Sequence, residues 1–223
     1  MTLRVQNMLY IVSTPIGNLE DMTLRAIRIL KEADCVAAED TRHVSILLNK
    51  YEIKNRVVSY HSYSSTGKLE YIVSLLKEGK NIALVSDAGT PGISDPAYTL
   101  IRRALEEGIQ ICPIPGASAV LAALVMSGKR MNEFVFLGFL PLKKGRQTLL
   151  KSLNDEERTV VFYESPHRIL KTLNDLLTFL GDREIAIARE ITKIYEECLR
   201  MKVSEAIAHF TAHPPKGEFV ILL

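Results

Sequence analysis

Apolar runs alternate with amphipathic segments along this chain of 223 residues, and the alternation predicts an α/β fold. Between residues 68 and 78, Leu69, Ile72, Val73 and Leu76 recur at helical spacing, and Gly79 follows where a left-handed helix cap is expected. Short apolar runs with the length of buried strands lie at residues 9–13, 35–38, 57–60, 82–86 and 109–114. The first half is therefore expected to form a sheet of buried strands joined by helices.

The second half has the same kind of architecture without repeating the sequence. A helix is predicted at residues 169–180, between Pro166 and Gly181, and its apolar face consists of Ile169, Leu173, Leu176, Leu177 and Leu180. Strands are predicted at residues 134–140, 159–163, 184–188 and 218–223. Because proline and glycine interrupt the pattern at residues 113–116, we expect two α/β domains, residues 1–115 and 116–223.

Composition narrows the class of protein. Hydrophobic residues make up 47% of the chain and charged residues 24%, which is typical of a soluble globular protein. No run approaches the roughly 20 apolar residues that cross a bilayer, and the start lacks the pattern of a signal peptide, so we expect a cytoplasmic protein that does not enter a membrane. The net charge of +2 means that nucleic-acid binding would depend on local basic patches. The three cysteines, Cys35, Cys112 and Cys198, show neither a disulfide framework nor metal-ligand spacing, and no metal is expected.

The loop at residues 86–96, SDAGTPGISDP, is the first candidate for chemistry, because ligands of open α/β sheets bind beyond the carboxyl ends of the strands. Glycine allows a ligand to approach the backbone closely and proline stiffens the turn, so this composition favours a small polar ligand. The alternative is a tight strand-to-helix turn, with Asp95 as the helix N-cap and Pro96 as the first helical residue.

A second candidate is the segment at residues 163–168, YESPHR, where a predicted strand meets the long helix. Glu164 or His167 could accept a proton. The alternative is a helix start with Ser165 as N-cap and Pro166 after it, which would leave His167 and Arg168 unexplained. The segment at residues 113–118, PIPGAS, ends the fifth strand in a similar way, with Ser118 opening a helix.

Six motifs in this order resemble the tetrapyrrole methylase superfamily, and within it the branch that methylates a cytidine 2′-hydroxyl in the decoding region of 16S rRNA. They are STPIGNLED at residues 13–21, AEDTR at 38–42, SDAGTPGISDP at 86–96, PIPGASA at 113–119, YESPHR at 163–168 and ARE.TK at 188–193. The resemblance covers residues 9–223. It implies a two-domain α/β methyltransferase of non-Rossmann type, with S-adenosylmethionine in a cleft between the domains and a homodimer as the assembly.

The resemblance also assigns cofactor residues. Members that methylate tetrapyrroles have Gly-Asp-Pro in the cofactor loop, whereas this chain has Gly89, Thr90 and Pro91, and the threonine is typical of the rRNA branch. The residues expected at the cofactor are Pro15, Asp87, Ala88, Gly89, Thr90, Pro91, Gly92, Ile93, Ser94, Asp95, Ser118, Ala119 and Glu164.

Two departures from the family pattern concern RNA contact and proton transfer. The family usually has His-Glu-His-Asn-Glu after its third strand, whereas this chain has HSYSS at residues 61–65, so the roles of those acids and of the second histidine are open here. Many relatives also carry a further small C-terminal domain, while this chain ends with the predicted strand at residues 218–223.

Methyl transfer to a ribose hydroxyl needs in-line approach of the oxygen at roughly 3 Å and a route for its proton. The candidate catalytic residues are Asp87, Glu164 and His167. Further acids at predicted strand ends are Glu39, Asp40 and Glu190, the last beside Lys193. Each acid could instead be an N-cap or the partner of a neighbouring arginine.

Basic residues beside the cleft are expected to bind the substrate, either 16S rRNA or the assembled small subunit, because neutralisation of phosphates supplies most of the affinity. The candidates are Arg42, Lys129, Arg130, Lys143, Lys144, Arg146 and Arg168. Two alternatives stay open: a small-molecule methyltransferase acting on a tetrapyrrole, which would have aspartate in place of Thr90, and a non-catalytic nucleotide-binding or RNA-binding module.

Overall fold

The computed structural model describes residues 7–60 and 66–223. The chain divides into two compact units, Met1–Ser118 and Ala119–Leu223, and each contains a five-stranded sheet. The division falls three residues after the boundary drawn from the sequence. The HSYSS segment at residues 61–65 lies outside the described residues. Within the described ranges, no helix is both long and apolar enough to cross a bilayer.

Unit 1 is a parallel sheet covered by helices. Its strands are β1 (Met8–Val12), β2 (Cys35–Ala38), β3 (Val57–Ser59), β4 (Ile82–Val85) and β5 (Gln110–Ile114). Its helices are α1 (Leu24–Glu32), α2 (Thr41–Lys50), α3 (Thr66–Lys77) and α4 (Ala97–Glu106). The strand order is β3-β2-β4-β1-β5, and every pairing is parallel. The five predicted strands of the first half are confirmed, and β2 and β4 are buried at every residue, as expected for strands covered on both faces.

The two faces of this sheet are covered by different helices. Helices α1 and α2 share one core cluster with Val12 and Val85, whereas α3 and α4 share another with Leu9 and Leu84. The helix after β4 therefore packs on the face opposite to the helices after β1 and β2, although β4 lies between those two strands. Such reversals open a crevice at the carboxyl edge of an α/β sheet. The loop after β4 is consequently the one that the topology exposes to a ligand.

Unit 2 is a mixed sheet. Its strands are β6 (Phe134–Phe139), β7 (Thr159–Glu164), β8 (Glu184–Arg189), β9 (Glu197–Lys202) and β10 (Phe219–Leu222). Its helices are α5 (Ala119–Ser127), α6 (Arg146–Ser152), α7 (Ile169–Leu180) and α8 (Val203–Ala212). The strand order is β6-β7-β10-β8-β9, and only the β6–β7 pairing is parallel. The predicted helix at residues 169–180 is confirmed, whereas the sequence pattern did not predict β9 or α8.

The core of unit 2 lies between its sheet and helices α6, α7 and α8. Phe162 of β7 and Phe219 of β10 are fully enclosed, with Leu173 and Leu176 of α7 packed against them. The sequence did not predict strand β9, because it lies at the edge of the sheet. Its residues are half-exposed or exposed and form no continuous apolar run.

Candidate ligand site at the carboxyl edge of the unit 1 sheet

The loop after β4 is attached to the loop after β1 by a short backbone ladder. The amide of Thr14 donates to the carbonyl of Gly89 at 2.9 Å, and the amide of Gly89 donates back at 3.1 Å. The Thr14 hydroxyl donates to the carbonyl of Ser86 at 3.1 Å, and the hydroxyls of Ser13 and Thr90 are 2.8 Å apart. Gly89 has a φ of 75°, a left-handed conformation that favours glycine. These bonds fix the predicted cofactor loop at its Gly-Thr-Pro centre.

The loop after β5 joins the same edge. The amide of Ser13 donates to the carbonyl of Ile114 at 3.1 Å. A Cβ atom on Gly116 would lie 2.9 Å from the Cβ of Ser13, closer than two carbon atoms can approach, so glycine is required there. The sequence pattern identified this glycine as part of a domain boundary and of the PIPGASA motif, without a packing role. The structure shows that it also allows the loops after β1 and β5 to pack together.

Asp95 stabilises the second half of the β4 loop. Its carboxylate accepts hydrogen bonds from the amide of Gly92 at 2.8 and 2.9 Å and from the amide of Ala97 at 2.8 Å. The capping interpretation therefore accounts for Asp95, although helix α4 starts at Ala97, one residue later than that interpretation placed it. Ser94, between these contacts, has a left-handed φ of 70°.

Exposure separates the predicted cofactor residues of unit 1 into three groups, of which the half-buried one consists of Thr90, Gly92, Asp95 and Ser118. Those exposed to solvent are Asp87, Ala88, Ile93 and Ser94. Those that are buried are Pro15, Gly89 and Pro91. A Cβ atom on Gly92 would point at Ile101 of α4 at 3.4 Å, toward the interior of the unit. The buried residues hold the shape of the loop, and the exposed ones are those that a ligand can reach in unit 1.

The AEDTR segment follows β2 and contributes acids to the same edge. The amide of Asp40 donates to the Asp87 carboxylate at 3.1 Å. The Asp40 carboxylate caps α2 by accepting from the amide of Arg42 at 2.8 Å, and it pairs with the Arg42 guanidinium at 2.7 Å. The hydrogen bonds from Arg42 hold the pKa of Asp40 well below its usual range. Asp40 is thus a helix cap, the alternative weighed from the sequence, and Arg42 remains a highly exposed cation.

Glu39 gives this edge its electrostatic character. Burial, followed by the negative charges of Asp87 and Asp95, raises the pKa of the Glu39 carboxyl. An edge at which neighbouring negative charges oppose the ionisation of Glu39 attracts cations. S-adenosylmethionine carries a sulfonium and an ammonium group, so this set of acids fits the cofactor that the sequence resemblance implies.

We expect Asp87→Asn to lower the pKa of Glu39 toward its ordinary value of 4.5. The substitution removes the carboxylate whose charge has the larger effect on Glu39, that of Asp87. The amide oxygen of the asparagine can still accept from the amide of Asp40. Carbon-detected NMR titration of the glutamate carboxyls measures the shift. Asp21→Asn, an exposed acid at the end of a short helical turn, is the control and should leave Glu39 unchanged. An unchanged pKa in Asp87→Asn would show that the two carboxyls do not interact.

In unit 2, the YESPHR segment holds its glutamate inside the protein. The side chain of Glu164 is fully buried and accepts from Thr172 Oγ1 at 2.5 Å and from the amide of Ser165 at 2.8 Å. Arg168 pairs with the same carboxylate at 3.3 Å and donates to the carbonyl of Leu140 at 2.7 Å. Glu164 is therefore enclosed by fixed partners, which favours a structural role; its assignment as a proton acceptor or cofactor contact stays a prediction. His167 is exposed, and its catalytic role stays a prediction.

Arg146 is also buried, which favours a structural role over the RNA contact predicted from the sequence. Its residue exposure is 5%, and its guanidinium donates to Asp175 Oδ2 at 2.7 Å, to Thr172 Oγ1 at 2.8 Å and to the carbonyl of Pro141 at 3.1 Å. Through Thr172 it joins the network that holds Glu164. All three of its nitrogen atoms therefore donate to acceptors within the protein.

The other basic candidates of unit 2 differ in solvent exposure and in their hydrogen-bond partners. Lys143, Lys144 and Arg130 are exposed. Lys129 is half-buried, and its Nζ donates to the carbonyl of Glu184 at 2.8 Å. Burial is the main reason that the pKa of Lys129 lies below its ordinary value.

Glu190 is held in a braced turn. It has a left-handed φ of 51°, and its carboxylate accepts from Lys193 Nζ at 2.9 Å and from the amide of Glu218 at 3.0 Å. Although burial raises the pKa of Glu190, these hydrogen bonds outweigh burial and lower it. An ion pair, which was weighed as the alternative to a catalytic role, is therefore present, although its partner is a lysine and not an arginine. Ser118 and Ala119, expected at the cofactor, are half-buried.

A parallel sheet with a fixed glycine loop and an acidic carboxyl edge defines an α/β protein with a candidate small-ligand site in its first unit. The family model for Tetrapyrrole (Corrin/Porphyrin) Methylases matches residues 8–207, and the chain belongs to this family. Ribosomal RNA small subunit methyltransferase I of Thermotoga maritima is 52% identical over 215 residues, which cover 96% of this chain and 97% of that protein. The proteins of the same name from Bacillus subtilis and Escherichia coli O157:H7 are 47% and 45% identical, over 96% and 98% of this chain and 74% and 78% of their own length.

Solved structures confirm the expected fold. A cobalt precorrin-4 methyltransferase has a TM-score of 0.72 at 18% identity, covering 97% of this chain and 94% of that one. A uroporphyrin-III C-methyltransferase from Thermus thermophilus, complexed with S-adenosyl homocysteine, has a TM-score of 0.68 at 19% identity, with 96% coverage of both chains. These likenesses concern the fold, because the sequences are far apart.

Proposed function

We propose that this protein is an S-adenosylmethionine-dependent methyltransferase that transfers a methyl group to the 2′-hydroxyl of a cytidine in the decoding region of 16S rRNA. The observation that carries the proposal is its identity of 45–52% to proteins named ribosomal RNA small subunit methyltransferase I over nearly the whole chain. The Gly-Thr-Pro centre of the β4 loop also supports it, because Thr90 pairs with Ser13 where a tetrapyrrole-methylating relative has aspartate.

The residues that would hold the cofactor in unit 1 are those exposed at the carboxyl edge of the sheet. S-adenosylmethionine supplies a methyl group on a sulfonium, which is already activated toward an oxygen nucleophile. Ala88, Ile93 and Ser94 offer backbone and side-chain contacts, and the charges of Glu39 and Asp87 favour a cationic ligand. Since the loop is fixed by Thr14 beforehand, little conformational freedom is lost when a ligand binds.

The chain's contribution to the reaction is mainly to position the two reactants. Holding the ribose oxygen in line with the methyl group accounts for most of the rate enhancement that such a site can give. Asp87 and His167, both exposed, are the groups that we propose to accept the hydroxyl proton. Glu164 and Asp40 are less suited to this role, because their carboxylates are occupied by fixed partners.

The RNA is bound by exposed cations. We assign this role to Arg42, Arg130, Lys143 and Lys144, together with the half-buried Lys129. The proposal includes a homodimer, as the family resemblance implies, and a cytoplasmic location, where small ribosomal subunits assemble. Light scattering coupled to size-exclusion chromatography measures the mass in solution, and a monomer at micromolar concentration would contradict the dimer.

Transfer of tritiated methyl groups tests the activity. The substrates are naked 16S rRNA and small subunits from cells that lack the decoding-region cytidine methylation. We expect label in 16S rRNA, and we expect alkaline hydrolysis to leave it in a resistant dinucleotide, because a 2′-O-methyl group blocks cleavage of the following phosphodiester.

Label released by alkali as a mononucleotide would show that the methyl group is on the base, which would contradict methylation of the ribose. Label in a tetrapyrrole substrate but not in rRNA would overturn the proposal in favour of a small-molecule methyltransferase. Binding of the cofactor without transfer to either RNA substrate or to a tetrapyrrole would indicate a non-catalytic module.

A further inference from the structure

A cavity of about 270 Å³ lies within unit 2, between the end of helix α5 and strands β8 and β9. Two of the residues that line it, Lys129 and Arg200, are cations, and one, Glu184, is an acid. The sequence patterns single out Lys129 but give no reason to choose Arg200. The cavity is lined by residues of unit 2 alone, and the acidic edge that fits the cofactor is in unit 1.

Arg200 is fixed at the rim of this cavity by the end of helix α5. Its Nε donates to the carbonyl of Ser127 at 3.1 Å, and a terminal nitrogen donates to the carbonyl of Met126. The left-handed Gly128, with a φ of 72°, turns the chain directly after these carbonyls. A guanidinium has five N–H donors, so this anchoring leaves donors available while restricting where the group can move.

Lys129 lines the same cavity and has a similar surplus of donors. Its ammonium group has three N–H donors, and the structure assigns one of them to the carbonyl of Glu184 at 2.8 Å. Burial is the main cause that lowers its pKa; the negative charge of Glu184 raises it, and the positive charge of Arg183 lowers it. A partly buried ammonium with unused donors, in a cavity that a second cation also lines, gains most from a ligand that brings negative charge and several acceptor oxygens.

The surroundings indicate what kind of anion this is. Arg130 and Lys202 directly follow the lining residues Lys129 and Met201 in the sequence, and both are exposed. A site for a single small anion does not need further cations next to it. A polyanion such as RNA contacts several cations along its backbone. Single-stranded segments of RNA present phosphates in this way.

We propose that the Lys129–Arg200 cavity binds a phosphate group of the RNA substrate. The inference rests on the proposed function, since it names the place where the polynucleotide backbone is held. Arg200 presents a planar set of donors to two phosphate oxygens, and Lys129 acts as a point charge beside it. The site acts in binding the substrate and takes no part in the chemistry of transfer.

The test measures RNA affinity as a function of salt. A fluorescent single-stranded RNA of about ten nucleotides, within the range of known single-strand sites, is titrated with the wild type, Lys129→Gln, Arg200→Gln and the double variant. We expect the double variant to bind roughly 10-fold more weakly at low salt, and the slope of log K against log salt to fall by about 0.7 for a lost phosphate contact. Lys171→Gln, an exposed lysine on α7, is the matched control for loss of a single charge.

Arg200→Gln removes two bonds to the end of α5, so folding must be separated from binding. Arg200→Lys keeps the charge and loses the anchoring, and we expect it to retain the wild-type salt slope. Thermal melting and calorimetry with S-adenosylmethionine check that each variant is folded and that cofactor affinity is unchanged.

Inorganic phosphate forms the second arm of the experiment. If phosphate binds the wild type, is lost in the double variant, and RNA affinity is equal in both, the cavity is a free-anion site and the assignment to RNA is overturned. Equal RNA affinity and equal salt slopes with no phosphate binding would overturn the site altogether. If the wild type itself neither binds nor methylates RNA, the proposed function fails instead, and the two failures are distinguishable.

Discussion

Arg146→Ala is expected to lower the free energy of unfolding of unit 2 by about 3 kcal/mol, the lower end for removing one partner of a buried ion pair. The guanidinium is enclosed between α6 and α7, and its loss leaves Asp175, Thr172 and the carbonyl of Pro141 without their donor. Asp175 is partly exposed, so water recovers part of the loss and the larger values do not apply. Denaturant unfolding, followed by a probe in unit 2, measures the change.

Lys144→Ala is the matched control, because it removes an exposed cation two residues away in the chain. We expect its stability to stay within about 0.5 kcal/mol of the wild type, as for most surface substitutions. The opposite pattern, with Arg146→Ala stable and defective in RNA binding, would restore Arg146 to the RNA-binding patch and contradict the buried network.

Gly89→Val is expected to weaken S-adenosylmethionine binding roughly 10- to 100-fold. A residue with a side chain in left-handed backbone carries about 1–3 kcal/mol of strain, and a tenfold change in affinity corresponds to about 1.4 kcal/mol. The variant loop relaxes away from its φ of 75°, breaks its bonds to Thr14, and must recover that conformation to bind. Space is not the cause, since a Cβ there would lie 3.7 Å from Ile16 and 3.9 Å from Ala117, which are ordinary contacts. Calorimetry measures the affinity.

Gly108→Val is the matched control for backbone strain. Gly108 has a φ of 71°, lies in the turn between α4 and β5, and has no atom within 4 Å of an added Cβ. The two variants should lose similar stability, but only Gly89→Val should lose cofactor affinity. Equal affinity of both variants for S-adenosylmethionine would show that the β4 loop is not part of the cofactor site.

Much of the fold follows from local sequence. The buried parallel strands of unit 1 are visible because continuous apolar runs are what a sheet covered on both faces requires. Helix α7 is visible because its apolar residues share one face and Gly181 ends it. The strand β9 was not visible, since at the edge of the sheet its pairing with β8 fixes it more than its composition does.

The sequence by itself determined the alternating α/β order, the positions of the glycine-rich loop and the order of motifs that identifies the family. These depend on residue spacing along a short stretch, which local backbone physics translates directly into structure. Only the tertiary structure decided which charged residues are exposed and can contact a ligand. Arg146 and Lys144 look alike in the sequence, yet Asp175, 29 residues beyond Arg146, is among the partners that bury it, while Lys144 is exposed. Likewise, Ser13 and Thr90 meet across 77 residues. Whether a charge faces water or a partner depends on contacts between distant segments, and those exist only once the chain has folded.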